Sequence, residues 1–406
     1  MTPTSVRRPI HPIWLRVLVA VLLSILAILV GRQGFAAAVR KGRPEAALKL
    51  APFNSRSLSA EAERVLAGGQ DERARRRAAM LATRALRRDP TNVSATATLG
   101  LLAALRGRPD RAMLLFAQAQ RLSRRDFRTR IWFIEDAVAR GDVDAALRHY
   151  DIALRTSRIA RDALFPVLSA AIAQPRVRTA AATVLDRRPS WADPFLAYAA
   201  TSGPDPAALF HLADLLRSPL LPGINVELIR QLVMAERFDL AWARYSSSNP
   251  GAERRALRAG NFQQSAAATT QFDWNGTTEN GLSTIFPDQR SEGLEVQVAS
   301  GAGGVAVSQL QLLTPGRYRF SGRVRGLSPG TAERPYWALI CASGSKVRLG
   351  RIDLRASGDH PVGFTGDFVV PPDCPAQSLQ LIVVTTDDIN GVAFVVERVA
   401  LRPTSS

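Results

Sequence analysis

The sequence predicts an α+β multidomain chain: an N-terminal transmembrane helix, a long α-solenoid of helix pairs and a C-terminal β-sandwich of jelly-roll type. Three observations carry that prediction. A charge-free apolar run lies near the N-terminus. Small and large residues recur every 34 positions through the middle. From about Asn261 the helical alanine pattern gives way to short alternating runs with Gly and Pro turns. The expected boundaries are 1–12 for a cytoplasmic N-terminus, 13–31 for the anchor, 32–250 for the helical repeats and 261–406 for the sandwich.

With 406 residues, 46% of them hydrophobic, the chain is long enough for two or three domains and apolar enough to bury their cores, which excludes global disorder. The formal net charge is +18. Of 53 basic and 35 acidic residues, 12 and 13 lie from Asn261 onward, leaving 41 and 22 before it. The whole excess therefore precedes the sandwich. An anionic partner near the membrane would explain it. So would a composition biased toward Arg, since Lys41, Lys49 and Lys346 are the only lysines. No interleaving of aromatic and basic residues accompanies the charge, so no nucleic-acid partner is expected.

The anchor comes first. Val17 to Val30 contains no charged residue. Extended from Ile13 to Gly31, it reaches the roughly 20 residues a span needs, with Arg16 snorkelling to the interface and Trp14 in the interfacial belt. A cleaved signal peptide is the alternative, with Ala36-Ala37-Ala38 as its cleavage site. Against it, Val39 and Arg40 continue what reads as one helix. Basic residues flank the run on both sides: Arg7, Arg8 and Arg16 before it, Arg32, Arg40, Lys41 and Arg43 after it. Charge alone thus leaves the orientation open.

The repeats follow. Gly107, Ala112, Phe116 and Ala119 recur 34 residues later as Gly141, Ala146, Tyr150 and Ala153, and 34 residues earlier the alanines are Ala78, Ala82 and Ala85. Glycine permits the turn between paired helices, alanines allow close approach, and the aromatic fills the space between neighbours. Over about Leu58–Arg158 this pattern resembles the tetratricopeptide repeat family, with Gly107, Ala112, Phe116, Gly141, Ala146 and Tyr150 as the defining positions. It departs from the family where a Trp is usual, at Thr96 and Arg130. Pro44–Pro52 looks like part of a further repeat, and Phe238–Trp242 like another second helix. Prolines at 175, 189, 194, 204, 206, 219 and 222 are expected to end helices at short intervals. The resemblance implies a concave surface for protein partners; the alternative is a spacer.

For the sandwich, strands are expected near 294–299, 305–312, 316–325, 337–342, 347–353, 362–370, 379–385 and 392–401. The landmarks Gly260-Asn261-Phe262-Gln263, Leu313-Thr314-Pro315-Gly316-Arg317-Tyr318 and Phe394 to Leu401 resemble carbohydrate-binding-module jelly rolls. Gln263, and Glu397-Arg398, stand where that family often has acids holding a structural calcium, so no metal is expected. The resemblance implies glycan binding. Trp337 and Tyr336 are the stacking candidates, with Trp274 and Phe286 behind them. A Trp opening a strand is more often core than platform, for Trp274 even more than for Trp337.

Cys341 and Cys374 are the only cysteines, both in the sandwich. A single confined pair suggests a disulfide, hence an oxidising compartment, which places the bulk of the chain in the periplasm of a bacterial inner-membrane protein. Two free thiols are the alternative. His11, His149, His211 and His360 lack partners at metal or triad spacing, and His149 reads as a helix-surface residue. Gly301 to Ala306 imitates a dinucleotide fingerprint but joins two strands, and Asp387-Asp388 before Asn390-Gly391 reads as a hairpin turn. No catalytic residue and no cofactor is expected. By analogy with bitopic repeat-and-sandwich proteins, the expected role is an envelope scaffold that supports exopolysaccharide assembly or export. Its partners would be envelope proteins at the repeats and a polysaccharide at the sandwich. Two alternatives are a glycan-binding protein whose repeats are a spacer, and a sandwich with no ligand.

Overall fold

The computed structural model describes residues 13–69, 71–263, 269–288, 292–328, 334–385 and 391–404. The expected N-terminal segment 1–12 and the expected turn at Asp387-Asp388 lie outside them. The described chain holds fourteen helices followed by two antiparallel sheets that form a β-sandwich. It divides into two compact units, Met1–Arg161 and Asp162–Ser406.

In the first unit, α1 (Ile13–Val39) contains a stretch, Val17–Val39, long and apolar enough to cross a membrane. The helix does not stop at Gly31. It continues through Ala36–Ala38, and Ala36 is buried against Ala47 and Ala51 at α2 (Pro44–Leu50). Arg32 donates to the Leu50 carbonyl at 3.0 Å, and Asn54 donates to Gln33 at 2.9 Å.

Three helix pairs follow: α3 (Ser55–Gly68) with α4 (Glu72–Arg88), α5 (Val93–Leu105) with α6 (Pro109–Leu122), and α7 (Phe127–Ala139) with α8 (Val143–Thr156). The 34-residue period sets their ends, because α4, α6 and α8 stop at Arg88, Leu122 and Thr156. Side-chain caps start α4, α5, α7 and α8: Asp71, Asn92, Asp126 and Asp142 each accept a first-turn amide, satisfying a donor the helix cannot. Gly107 and Gly141 turn the second and third pairs at φ +66° and +69°, where a side chain would be strained. Ala112, Phe116, Ala146 and Tyr150 are buried. Phe116 stacks on Trp132 of α7 with ring centroids 4.6 Å apart. The two positions that lack the usual Trp, Thr96 and Arg130, are buried polar residues.

The second unit opens with α9 (Ala160–Ala171), α10 (Pro175–Leu185), α11 (Ala192–Ser202), α12 (Pro206–Leu215), α13 (Pro222–Met234) and α14 (Phe238–Ser248). Pro175, Pro206 and Pro222 begin helices rather than end them. The first position of a helix needs no intrahelical donor, and the proline ring already holds the helical φ.

The sandwich has strands β1 (Asn275–Gly276), β2 (Thr278–Glu279), β3 (Leu282–Ile285), β4 (Leu294–Val298), β5 (Gly304–Gln311), β6 (Gly316–Arg325), β7 (Tyr336–Cys341), β8 (Arg348–Asp353), β9 (Val362–Val370), β10 (Gln377–Val383) and β11 (Val392–Pro403). All eight expected strands are present, as β4 to β11; β1 to β3 are too short for periodicity to reveal. One sheet runs β1-β5-β10-β7-β8, the other β2-β3-β4-β11-β6-β9. Alternate residues of both, among them Trp337, Phe320, Phe368, Leu379, Leu381 and Phe394, fill the core between them. Cys341 and Cys374 form a disulfide with a Cα separation of 5.7 Å.

Candidate functional site

Trp337, read from the sequence as a stacking candidate that more often serves as core, is fully buried. On β7 it pairs with Leu381 of β10 and Ile352 of β8, which puts its ring in the core. It meets Phe320 and Trp274 edge-on at centroid distances of 5.2 and 5.9 Å. Trp274 is 1% exposed, and its indole N–H donates to the Ala259 carbonyl at 2.8 Å. Neither ring has a face free for a sugar, so both assignments are corrected to core. Phe286 is half-buried and packs against the same core. Tyr336 points the other way, as strand alternation requires. It is 8% exposed because Arg351 lies over its ring, 3.8 Å from the centroid, with Arg348 beside it at 5.8 Å. It is a capped ring rather than an open platform.

What the outer face of the five-stranded sheet does present is polar. Strand register places Asn275, Ser308, Gln380, Ala338 and Arg351 in one row across β1, β5, β10, β7 and β8. Ser378 lies beside them on β10. Amides, hydroxyls and a guanidinium over small residues suit hydrogen bonding to hydroxyl groups.

A second feature lies where α13 and α14 meet the sandwich. A cavity of about 910 Å³ is lined by Asn225, Arg244, Tyr245, Asn249, Asp273 and Gln309, among others. Tyr245 donates to Asp273 at 2.7 Å, and the Thr270 amide and hydroxyl donate to the other carboxylate oxygen at 2.8 and 2.9 Å. Burial, then the Asp273 carboxylate, pushes the Tyr245 phenol well above its ordinary value. Arg244 donates to Asn225 at 2.5 Å, and burial lowers its pKa. Behind them Arg258, 9% exposed, has no carboxylate at ion-pair distance among the described residues. Its guanidinium donates to the carbonyls of Phe272 (2.8 Å), Ala256 (3.2 Å) and Leu310, and lies against the rings of Trp242 and Phe272. Burial pulls it down to about 10, so it keeps its charge at neutral pH. Among the described residues no His or Cys lines the cavity; of its two carboxylates, Asp273 is committed to Tyr245 and Thr270, and Glu253 is exposed. The arrangement holds helices to sandwich.

In the first unit the first helices of the three pairs are tied by one side chain. Arg128 on α7 donates to Glu63 on α3 at 2.6 Å and to Ser94 on α5 at 3.0 Å. Burial raises the Glu63 pKa in spite of the Arg128 charge. Glu63 and Ser94 also line a cavity of about 830 Å³ with Arg40, Lys41, Arg56 and Arg64. His149 is not the surface residue expected. It is half-buried, stacked on Phe133 at 4.9 Å, with Arg130 at 3.4 Å from its Nδ1. Burial, then Arg130, lowers its pKa. Among the described residues no three His, Cys, Asp or Glu side chains gather as a metal site. Glu397 pairs with Arg323 and Arg325 at 3.6 and 3.5 Å.

The sandwich has solved counterparts among carbohydrate-binding modules. One, described under "CBM4 structure and function", is 11% identical, with a TM-score of 0.30 over 36% of this chain and 99% of that one. The CBM22-1 xylan-binding domain of Paenibacillus barcinonensis Xyn10C is 16% identical, with a TM-score of 0.26 over 38% of this chain and 99% of that one. Pseudomonas aeruginosa PilF is 15% identical, with a TM-score of 0.28 over 56% of this chain and 94% of that one. At such scores none of them bears on what this chain binds. No protein-family profile and no curated protein matches the chain.

Proposed function

We propose that this chain is a membrane-anchored, non-enzymatic scaffold whose helix pairs hold a protein partner and whose sandwich contacts a glycan. The Arg128–Glu63–Ser94 tie carries the reading. It lines up polar groups of α3, α5 and α7 along one face, beside a cavity large enough for a peptide segment. Stacked helix pairs of this kind bind through such faces. The continuous helix through Ala36–Ala38, with Ala36 packed against α2, supports a retained anchor over a cleaved signal. The Cys341–Cys374 bridge supports a periplasmic location for everything after the anchor. The polar outer face of the five-stranded sheet supports glycan contact, with Tyr336 positioned beneath Arg351 as part of that surface. Exopolysaccharide assembly or export is the setting that joins the two surfaces.

Two experiments test this. A photo-crosslinker at Ser94 should capture an envelope protein from cells, and Arg128→Glu should reduce the capture at least fivefold while an exposed control, Arg121→Glu, leaves it unchanged. Equal capture by both variants would remove the groove from the proposal. Mass spectrometry of the unreduced, membrane-extracted chain should show a mass two hydrogens below the dithiol and a retained N-terminal segment. Two alkylatable thiols would argue against the periplasm.

A further inference from the structure

The near-neutral total of the sandwich conceals an uneven distribution. Of the 12 Lys and Arg residues from Asn261 onward, six stand on one face of the six-stranded sheet: Arg317, Arg319, Arg323 and Arg325 on β6, and Arg398 and Arg402 on β11. The alternation R-x-R-x-S-x-R-x-R along β6 produces this, because every second side chain leaves the same face. All six are exposed. Only two carboxylates answer them at ion-pair distance among the described residues, and each serves two arginines. Asp367 takes Arg319 (3.0 Å) and Arg317 (3.9 Å), while Glu397 takes Arg325 (3.5 Å) and Arg323 (3.6 Å).

The pairing across strands is the informative part. Arg319 stands directly opposite Arg402, and Arg323 directly opposite Arg398. Like charges directly opposed across a sheet destabilise it. Folding alone gives no reason for two such pairs. Between these two basic rows lies a row of small residues, Ala400, Ser321 and Thr365, running across β11, β6 and β9. The basic rows are four residues apart along β6, or ~13 Å at strand rise. The face is thus a shallow trough with a small-residue floor and arginines on both banks.

We infer that this trough binds an acidic polysaccharide, one chain lying across the strands along the Ala400–Ser321–Thr365 row with its carboxylates on the flanking arginines. The inference rests on the reading that the sandwich contacts glycan, and moves that contact to a different face and a charged class of polymer. Guanidinium groups match carboxylates bidentately, and surplus positive charge is what a polyanion neutralises. A bilayer is a poorer occupant: among the described residues the face carries no aromatic side chain, and its large exposed apolar residues, Val369 and Ile285, stand toward opposite edges of the sheet, where interfacial binding needs a Trp, Phe or Leu surface.

The test uses the full chain in detergent micelles, with immobilised polygalacturonate as the acidic probe, xylan as the neutral one and phosphatidylglycerol vesicles as the lipid one. Wild type should bind polygalacturonate and weaken about tenfold or more between 50 and 200 mM salt, as a multi-site charge contact does. Arg323→Gln/Arg398→Gln should weaken binding at least tenfold and melt no lower than wild type, since it removes an opposed pair. Ser321→Tyr, which fills the floor without changing charge, should also abolish binding. Unchanged binding in both variants overturns the proposal. So does retention of xylan alone, which leaves the glycan reading standing on the other sheet, and so does binding to vesicles without binding to polygalacturonate. Failure with every polymer sinks the glycan reading together with it.

Discussion

The Tyr245 phenol donates to the Asp273 carboxylate at 2.7 Å, joining the last helix to the loop that enters the sandwich. Tyr245→Phe keeps the ring contacts with Trp242 and Phe272 and deletes only this bond. Bonds to charged acceptors contribute about 1.5–3 kcal/mol, so the second unit should lose that much in a denaturant titration. The phenol's raised pKa adds a pH signature. Its folded value lies above the unfolded value of about 10, so its stabilisation is complete below pH 10 and is lost as pH climbs toward the folded value. Wild type should lose stability across that alkaline window more steeply than Tyr245→Phe does.

His149 gives the opposite sign. Its folded pKa lies below the unfolded value of about 6.5, chiefly through burial and then through Arg130. The stabilisation is present above pH 6.5 and lost as pH falls through the folded value. Exchange protection of α7 and α8, after correction for the intrinsic pH dependence of amide exchange, should therefore fall as pH drops below 6.5, and His149→Gln should flatten that fall. An unchanged profile in the variant would mean that other groups set it.

Trp337→Ala removes the ring that meets both Phe320 and Trp274 in the core. Large-to-small changes of this kind cost about 3–5 kcal/mol, so the sandwich should melt markedly lower. Tyr336→Ala, on the outer face of the same strand, should cost far less. If the two variants melted alike, the inward orientation of Trp337 would be wrong.

The helix pairs were legible because glycine, alanine and aromatic positions recur where packing demands them, and Gly107, Ala112 and Phe116 did not need partners to be recognised. The strands β4 to β11 were legible from alternation and turn residues. Trp337 was ambiguous because the same β-strand pattern fits either face until register with Leu381 and Ile352 is known. Arg258 was unreadable: its partners are three backbone carbonyls and two rings, none marked by a local motif. The arginine trough was overlooked for a different reason. Summing charge over the sandwich cancels what strand alternation separates in space, and Arg398 and Arg402 join the row only through pairing with β6.

The join between α1 and α2 has a mechanical consequence. Ala36 is sealed against Ala47 and Ala51, Arg32 holds the Leu50 carbonyl, and Gln33 holds Asn54. A Gly/Ser-rich leash would let the first repeat roam a volume that grows with its length. Here no leash intervenes. With α1 in a bilayer, as proposed, the apolar helix and the first repeats would tilt as one lever, so a few degrees of tilt would become ångströms of travel at the groove. A partner held there would feel the angle of the helix directly.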